Sequence, residues 1–199
     1  MPTALPTLVL ASTSRYRAKS LRRLQLLFES AAPNVDEAHR LGETPSLRAT
    51  RLAQAKATAL KSQFPHAVLI GSDQVAACDT EVFDKPGNQD NAVTMLMSQR
   101  GRCIEFHTAV CVHHAPSNTN IEHSDVTRVS VRSDLTQDDI VRYVAADQPL
   151  DCAGGFKVES LGIALFERVQ TDDPTALIGL PLIGVAKALR TFGLSLIHI

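Results

Sequence analysis

The sequence predicts a mixed α/β fold, a mixed twisted sheet with flanking helices, and three observations predict it. Short apolar runs alternate with helix-like stretches in the first half of the chain. β-rich residues then cluster between Cys103 and Arg132. A chain of 199 residues can bury a substantial core and fits one domain spanning residues 1–199.

Leu8-Val9-Leu10 reads as a first buried strand. Ser12-Thr13-Ser14 then offers hydroxyls that cap a helix from Arg17 to Leu27, where Leu21, Leu24 and Leu27 recur at helical spacing. Thr44-Pro45 starts a second helix, because Pro has its φ preset for the first helical position and loses no needed N–H there. Its expected apolar face is Leu52, Ala55 and Ala59, with Lys56 alongside. Ala67–Gly71 is the second buried strand, with Asp73 expected just past its end. Asn88 or Asp90 caps a helix through Ala92, Met95 and Leu96. Residues 103–114 and 125–132 suggest two strands, joined as a hairpin across Pro116–Asn120. Thr136 with Asp139 forms a capping box for a helix carrying Ile140 and Val144. Gly162–Val169 reads as a strand, and Pro181–Phe192 as a last helix that Gly193 stops.

Composition narrows the function. A net charge of −1 argues against an extended nucleic-acid partner, which needs a basic face. No apolar run is long enough to span a bilayer, and Thr7–Ala11 is too short for a signal-peptide core. Cys78, Cys103, Cys111 and Cys152 form no Cys-X-X-Cys pair, so they read as reduced structural thiols and the cytoplasm as the default compartment. Cys103, His107 and Cys111 step by four in a stretch that reads as strand, where such spacing gives no compact zinc chelate. Walker A, dinucleotide-binding and Gly-X-Ser-X-Gly signatures are absent.

Two motifs carry chemistry. Ser12, Ser14 and Arg17 place hydroxyls and a guanidinium at a helix start, where unpaired N–H groups and the helix dipole favour an anion such as phosphate. The bland alternative is a plain N-cap with solvated arginines. Asp73, in Gly71-Ser72-Asp73-Gln74, can coordinate Mg²⁺ or accept a proton from water; otherwise it is a turn cap. Glu37 is a second acid able to share a metal with Asp73, and Lys56 and Lys85 are candidate phosphate clamps. Each of these alone is ordinary surface. Ala153–Glu159 reads as a glycine-rich loop ending in an acid, and Gly179-Leu180-Pro181-Leu182 as a structural lead into the last helix.

Seven short elements in this order resemble the Maf-like nucleotide pyrophosphatases: Leu10–Arg17, Val35–Glu37, Ala53–Ala57, Ile70–Gln74, Lys85-Pro86, Cys152–Lys157 and Gly179–Leu182. Gln74, Cys152–Glu159 and Leu165–Arg168 further resemble the subgroup that hydrolyses 7-methyl-GTP, as against relatives acting on dTTP and UTP. The chain departs from the family at Arg15, where Pro is common, at Tyr16, where the subgroup can carry Trp, and at Thr108-Ala109. The resemblance implies an ITPase-like α/β fold with a cleft between two lobes, often dimeric, and a cytoplasmic enzyme dependent on a divalent metal cation, Mg²⁺ or Mn²⁺. Its substrate would be a nucleoside triphosphate, cut to monophosphate and pyrophosphate.

The resemblance makes Asp73 the catalytic proton acceptor, matches Arg17, Glu37, Lys56 and Lys85 to other polar active-site positions, and matches Tyr16, Gln74 and Glu159 to positions that set substrate choice. The residue types themselves suggest Ser14, Arg17, Lys56 and Lys85 as phosphate contacts and Glu37 with Asp73 as metal ligands. Tyr16 could face a cationic 7-methylguanine, and Glu159 could accept hydrogen bonds from the base edge. A non-catalytic nucleotide-binding regulator of septum formation is the reading from a different class.

Overall fold

Alternation of buried side chains begins at once. The computed structural model describes residues 6–194, and its first strand, β1 (Leu8–Ala11), sends Leu8 and Leu10 into one apolar layer and Val9 and Ala11 into another. The chain continues through α1 (Arg15–Arg22), β2 (Glu29–Ala31), α2 (Pro45–Ala59), β3 (Val68–Cys78), β4 (Glu81–Phe83), α3 (Gln89–Gln99), β5 (Cys103–His114), β6 (Thr119–Val131), α4 (Gln137–Asp147), β7 (Phe166–Gln170) and α5 (Leu182–Thr191). Among the described residues the strands form one sheet in the order β2-β1-β3-β5-β6-β7, with β4 paired to β3. β1 runs parallel to β2 and β3, while β4 and β7 lie antiparallel to their partners. The sheet is mixed, as expected.

Two compact units divide the chain. The first is Met1–Asp73, Thr108–Asp125 and Asp173–Ile199; the second is Gln74–His107 and Val126–Asp172. In the first, Leu8, Leu10, Ile70, Val110 and Val112 pack with Leu21 of α1 and Val185 and Leu189 of α5. Each such fully buried aliphatic contributes about 1.5–3 kcal/mol of transfer free energy. Val9, Ala11 and Leu69 pack with Leu60 and Ala67 in the other layer. There α2 comes so near β3 that a Cβ added at Gly71 would meet backbone atoms of Ala53 and Ala57, the Cα of Ala57 at 2.9 Å. Glycine is required by this approach.

In the second unit α3 packs on α4. Phe156 makes edge-to-face contacts with Phe106 and Phe166, with ring centroids 5.1 and 4.6 Å apart. Gly154 takes φ +76° beneath Phe106, whose Cζ would lie 2.7 Å from an added Cβ, so Ala153–Gly155 is a packed 3₁₀ turn where the sequence suggested a glycine-rich loop.

Other expectations shift as well. α1 ends at Arg22, and Leu27 is 97% exposed, because Gln25 turns the chain with φ +55°. The buried stripe of α2 is Ala49, Leu52, Ala53, Lys56 and Ala57, rotated from the expected face by its contact with Gly71. Residues 161–165 form a 3₁₀ turn, with Gly162 tight against the carbonyl of Lys157, so only Phe166–Gln170 is strand. Finally, β3 continues through Asp73 to Cys78, supported by pairing of Ala76–Cys78 with β4 and by burial of Val75–Cys78. Asp73 therefore sits within a strand. The caps at Ser14, Thr44, Asn88 and Thr136 are formed as the sequence indicated, the last as a complete capping box.

Candidate active site

Strand alternation and a missing side chain together build the centre of the site. Asp73 is two residues beyond Gly71 and shares its face of β3, the face against α2. The close approach permitted by Gly71 brings Lys56 of α2 alongside. Its Nζ donates to Asp73 Oδ1 at 2.7 Å and lies 2.8 Å from Glu37 Oε1. The Lys56 and Asp73 side chains are 7% and 10% exposed, whereas Glu37, on the loop between β2 and α2, is 56% exposed. One buried ammonium thus bridges two carboxylates.

Arg17 is the second cation. Ser12 Oγ accepts from Ser14 N at 3.1 Å and Ser14 Oγ accepts from Arg17 N at 3.3 Å, which sets the start of α1. Arg17 Nε donates to the carbonyl of Gly179 at 2.9 Å. Burial pushes the Arg17 pKa down from its ordinary value, while Asp73 and then Glu37 act to hold it up; a guanidinium stays charged under such opposing pulls. Arg17, Glu37, Lys56 and Asp73 are therefore one electrostatic group of two cations and two carboxylates.

Sequence reasoning missed what aims this group. Ser72 Oγ is within hydrogen-bonding reach of the carbonyls of Ala109 (2.7 Å) and Gly179 (2.9 Å), and its one proton can serve either. Gly179 has φ +103°, and a Cβ there would lie 3.4 Å from Arg17 Nε. Asp173, 1% exposed, fixes the turn that carries Gly179. Its Oδ1 accepts from Thr175 N and Oγ1, and its Oδ2 accepts from Ile183 N at 2.7 Å, at the start of α5. The available signal was Gly179-Leu180-Pro181-Leu182, read only as a lead into α5.

Tyr16 is half-buried at the start of α1. Its hydroxyl accepts from Arg15 Nη2 at 2.8 Å, and the Arg15 guanidinium lies over the ring, 4.9 Å from its centroid. Gln74, Lys85 and Glu159 belong to the second unit. Gln74 follows Asp73 on β3 and is half-buried, while Lys85, just after β4, and Glu159, just before the 161–165 turn, are exposed.

Glu37 and Asp73 meet at one cation, and Mg²⁺ commonly takes only one or two carboxylates, with water and substrate oxygens completing its shell, so the pair fits such a metal. Among the described residues no group of three or more His, Cys, Asp or Glu side chains gathers as a metal cage, and all four cysteines are free thiols. Cys111 is buried, its thiol pushed up to about 12 by desolvation, whereas Cys103 is exposed. A hollow of about 330 Å³ lined by Thr50, Ala109, Val110, Glu122, His123 and Ser124 holds none of the site residues.

The fold is mixed α/β, and it gathers two carboxylates around Lys56 of α2 with Arg17 at the start of α1. A family model described as Maf-like protein matches residues 7–192. The chain belongs to the Maf-like family. It is 50% identical over 195 residues to a 7-methyl-GTP pyrophosphatase of Polaromonas sp., covering 98% of this chain and 88% of that one. It is 49% identical over 192 residues to the protein of that name from Xanthomonas campestris pv. campestris, covering 96% and 99%. The solved structure of the Staphylococcus aureus Ham1 protein is similar with a TM-score of 0.52 at 12% identity, over 92% of this chain and 99% of that one, which supports the fold alone. No described helix is long and apolar enough to cross a membrane.

Proposed function

We propose that this protein hydrolyses the α–β phosphoanhydride of 7-methyl-GTP to give 7-methyl-GMP and pyrophosphate. The observation that carries the reading is Lys56 held between Glu37 and Asp73, with Arg17 electrostatically coupled to both acids. The names of the relatives at about half identity supply the substrate.

The chemistry follows from charge. The two acids balance Lys56 and Arg17, so a bound triphosphate leaves the group strongly negative. A divalent cation held by Glu37 and Asp73 would, when bound, offset that charge and polarise phosphate oxygens. Arg17 suits a bidentate grip on phosphate, its Nε already oriented by Gly179, and Ser14 adds a hydroxyl at the helix start. Lys56 neutralises charge growing on the departing pyrophosphate. Asp73 accepts a proton from the water whose oxygen bonds the α-phosphorus as the bond to the α–β bridging oxygen breaks.

The roles of Lys85, Gln74 and Glu159 rest on the family resemblance. Tyr16 offers its ring to the cationic methylated base, in competition with Arg15 on one face. The free thiols suit a reducing cytoplasm.

The test is a panel of 7-methyl-GTP, GTP, dTTP and UTP assayed for pyrophosphate with Mg²⁺ or Mn²⁺. Preference for the methylated nucleotide is expected, and Asp73→Asn should lose about 10²–10⁴-fold in kcat. Preference for dTTP or UTP would move the substrate. Nucleotide binding without turnover at any metal concentration would make the protein a regulator.

A further inference from the structure

The loop that supplies Glu37 has no regular structure between β2 and α2, and its fastening lies outside the group described above. Arg51, on α2, donates from Nε to Glu43 Oε1 at 2.6 Å and from Nη2 to Glu43 Oε2 at 2.8 Å. The same Nη2 donates to the carbonyl of Ala38 at 3.1 Å, next to Glu37 in the chain. On the loop's own side, Asp36 Oδ1 accepts from Ala38 N at 2.9 Å, and Glu43 Oε2 accepts from Arg40 N at 3.4 Å. The Arg51 and Glu43 side chains are 18% and 9% exposed, so the fork is shielded more than an ordinary surface pair. A bidentate guanidinium–carboxylate pair fixes orientation as well as distance, which a single ammonium contact would not.

We infer that Arg51 is a positioning residue that holds the Glu37 carboxylate within reach of Lys56 by clamping the loop at Ala38 and Glu43. One helix then sets both partners of that contact, Lys56 through its own side chain and Glu37 through Arg51. The fork holds the Glu43 carboxyl down at about 2, so the clamp stays closed across the neutral range. Arg51 also feels the charges of Asp36 and Asp73, so its contribution through the Glu37 loop has to be separated from a direct effect on Asp73.

The catalytic consequence rests on the proposed function; the clamp itself does not. The test combines a double-mutant cycle in the full chain with amide hydrogen exchange. Arg51→Met should lower kcat/KM by about 10–100-fold in the wild-type background, the scale typical of residues that orient a ligand-bearing group. In the Glu37→Gln background it should cost less than about threefold, because the group it positions is already disabled. Exchange at residues 36–40 should quicken about tenfold or more in Arg51→Met, and Arg51→Lys, which keeps the charge but not the fork, should recover part of both effects. Equal losses in the two backgrounds, or unchanged exchange, would overturn the inference. Should the wild-type chain hydrolyse no triphosphate, the proposed function fails, and the exchange measurement still decides the clamp.

Discussion

The first unit buries charge and the second buries rings. Of the buried polar side chains among the described residues, Lys56, Asp73, Asp125 and Asp173 carry charge, and all four belong to the first unit. In the second, only Gln99 and Thr127 are buried polar residues, and the interior is organised by Phe106, Phe156 and Phe166 around a glycine turn. Buried charge is costly unless paired, and removing one partner strands the other. The first unit has therefore spent stability to hold reactive groups at fixed spacings. The second is an ordinary close-packed interior, where a residue's contribution is its volume and shape.

The sharpest break of this contrast is Lys56→Met. It takes the ammonium from two carboxylates and leaves the buried one, Asp73, without it, so it should reduce turnover by about 10²–10³-fold and lower stability by about 3 kcal/mol, a fall read in Tm. Phe156→Ala should also destabilise, by about 3–5 kcal/mol, yet leave kcat per folded molecule unchanged, as measured well below its Tm. If it instead cut kcat as deeply as Lys56→Met, the division of labour would be wrong. A smaller effect belongs to Arg15→Ala. Clearing the cation from the Tyr16 ring should favour 7-methyl-GTP over GTP by about twofold to fivefold in KM, from a cation–π contact of roughly 0.5–1 kcal/mol. The smallest is a pH effect. The Glu43 carboxyl lies at about 2 in the fold against an ordinary 4.5. A depressed carboxyl contributes stability above its unfolded pKa, which is lost as pH falls through that window. Acid unfolding of Glu43→Gln should therefore be flatter between those values than that of the wild type.

Local rules with a mechanism were legible in the sequence. Pro45 after Thr44 and Asp139 after Thr136 marked helix starts because caps depend only on near neighbours. What failed depended on tertiary partners. Ser72-Asp73-Gln74 looks like the end of a strand, yet β3 continues because β4 pairs with its second half and carbonyls of Ala109 and Gly179 satisfy Ser72. Leu27 fitted the helical period but lies beyond the Gln25 turn and is exposed. The charged group is legible as residue types, since Arg17, Glu37, Lys56 and Asp73 are each candidates in the sequence and the fold brings them together. The parts that aim them are not: Gly179 acts through its carbonyl, and Arg51 looks like any other exposed helix arginine until the Glu37 loop folds over it.

Gly71 gives that aim an unusual origin. The spacing of α2 and β3, and so of the backbones that carry Lys56 and Asp73, is set where main chain rests on main chain, with no side chain at the contact to relax or repack. Even alanine at this position would wedge the helix off the strand and pull apart two charges that it never touches.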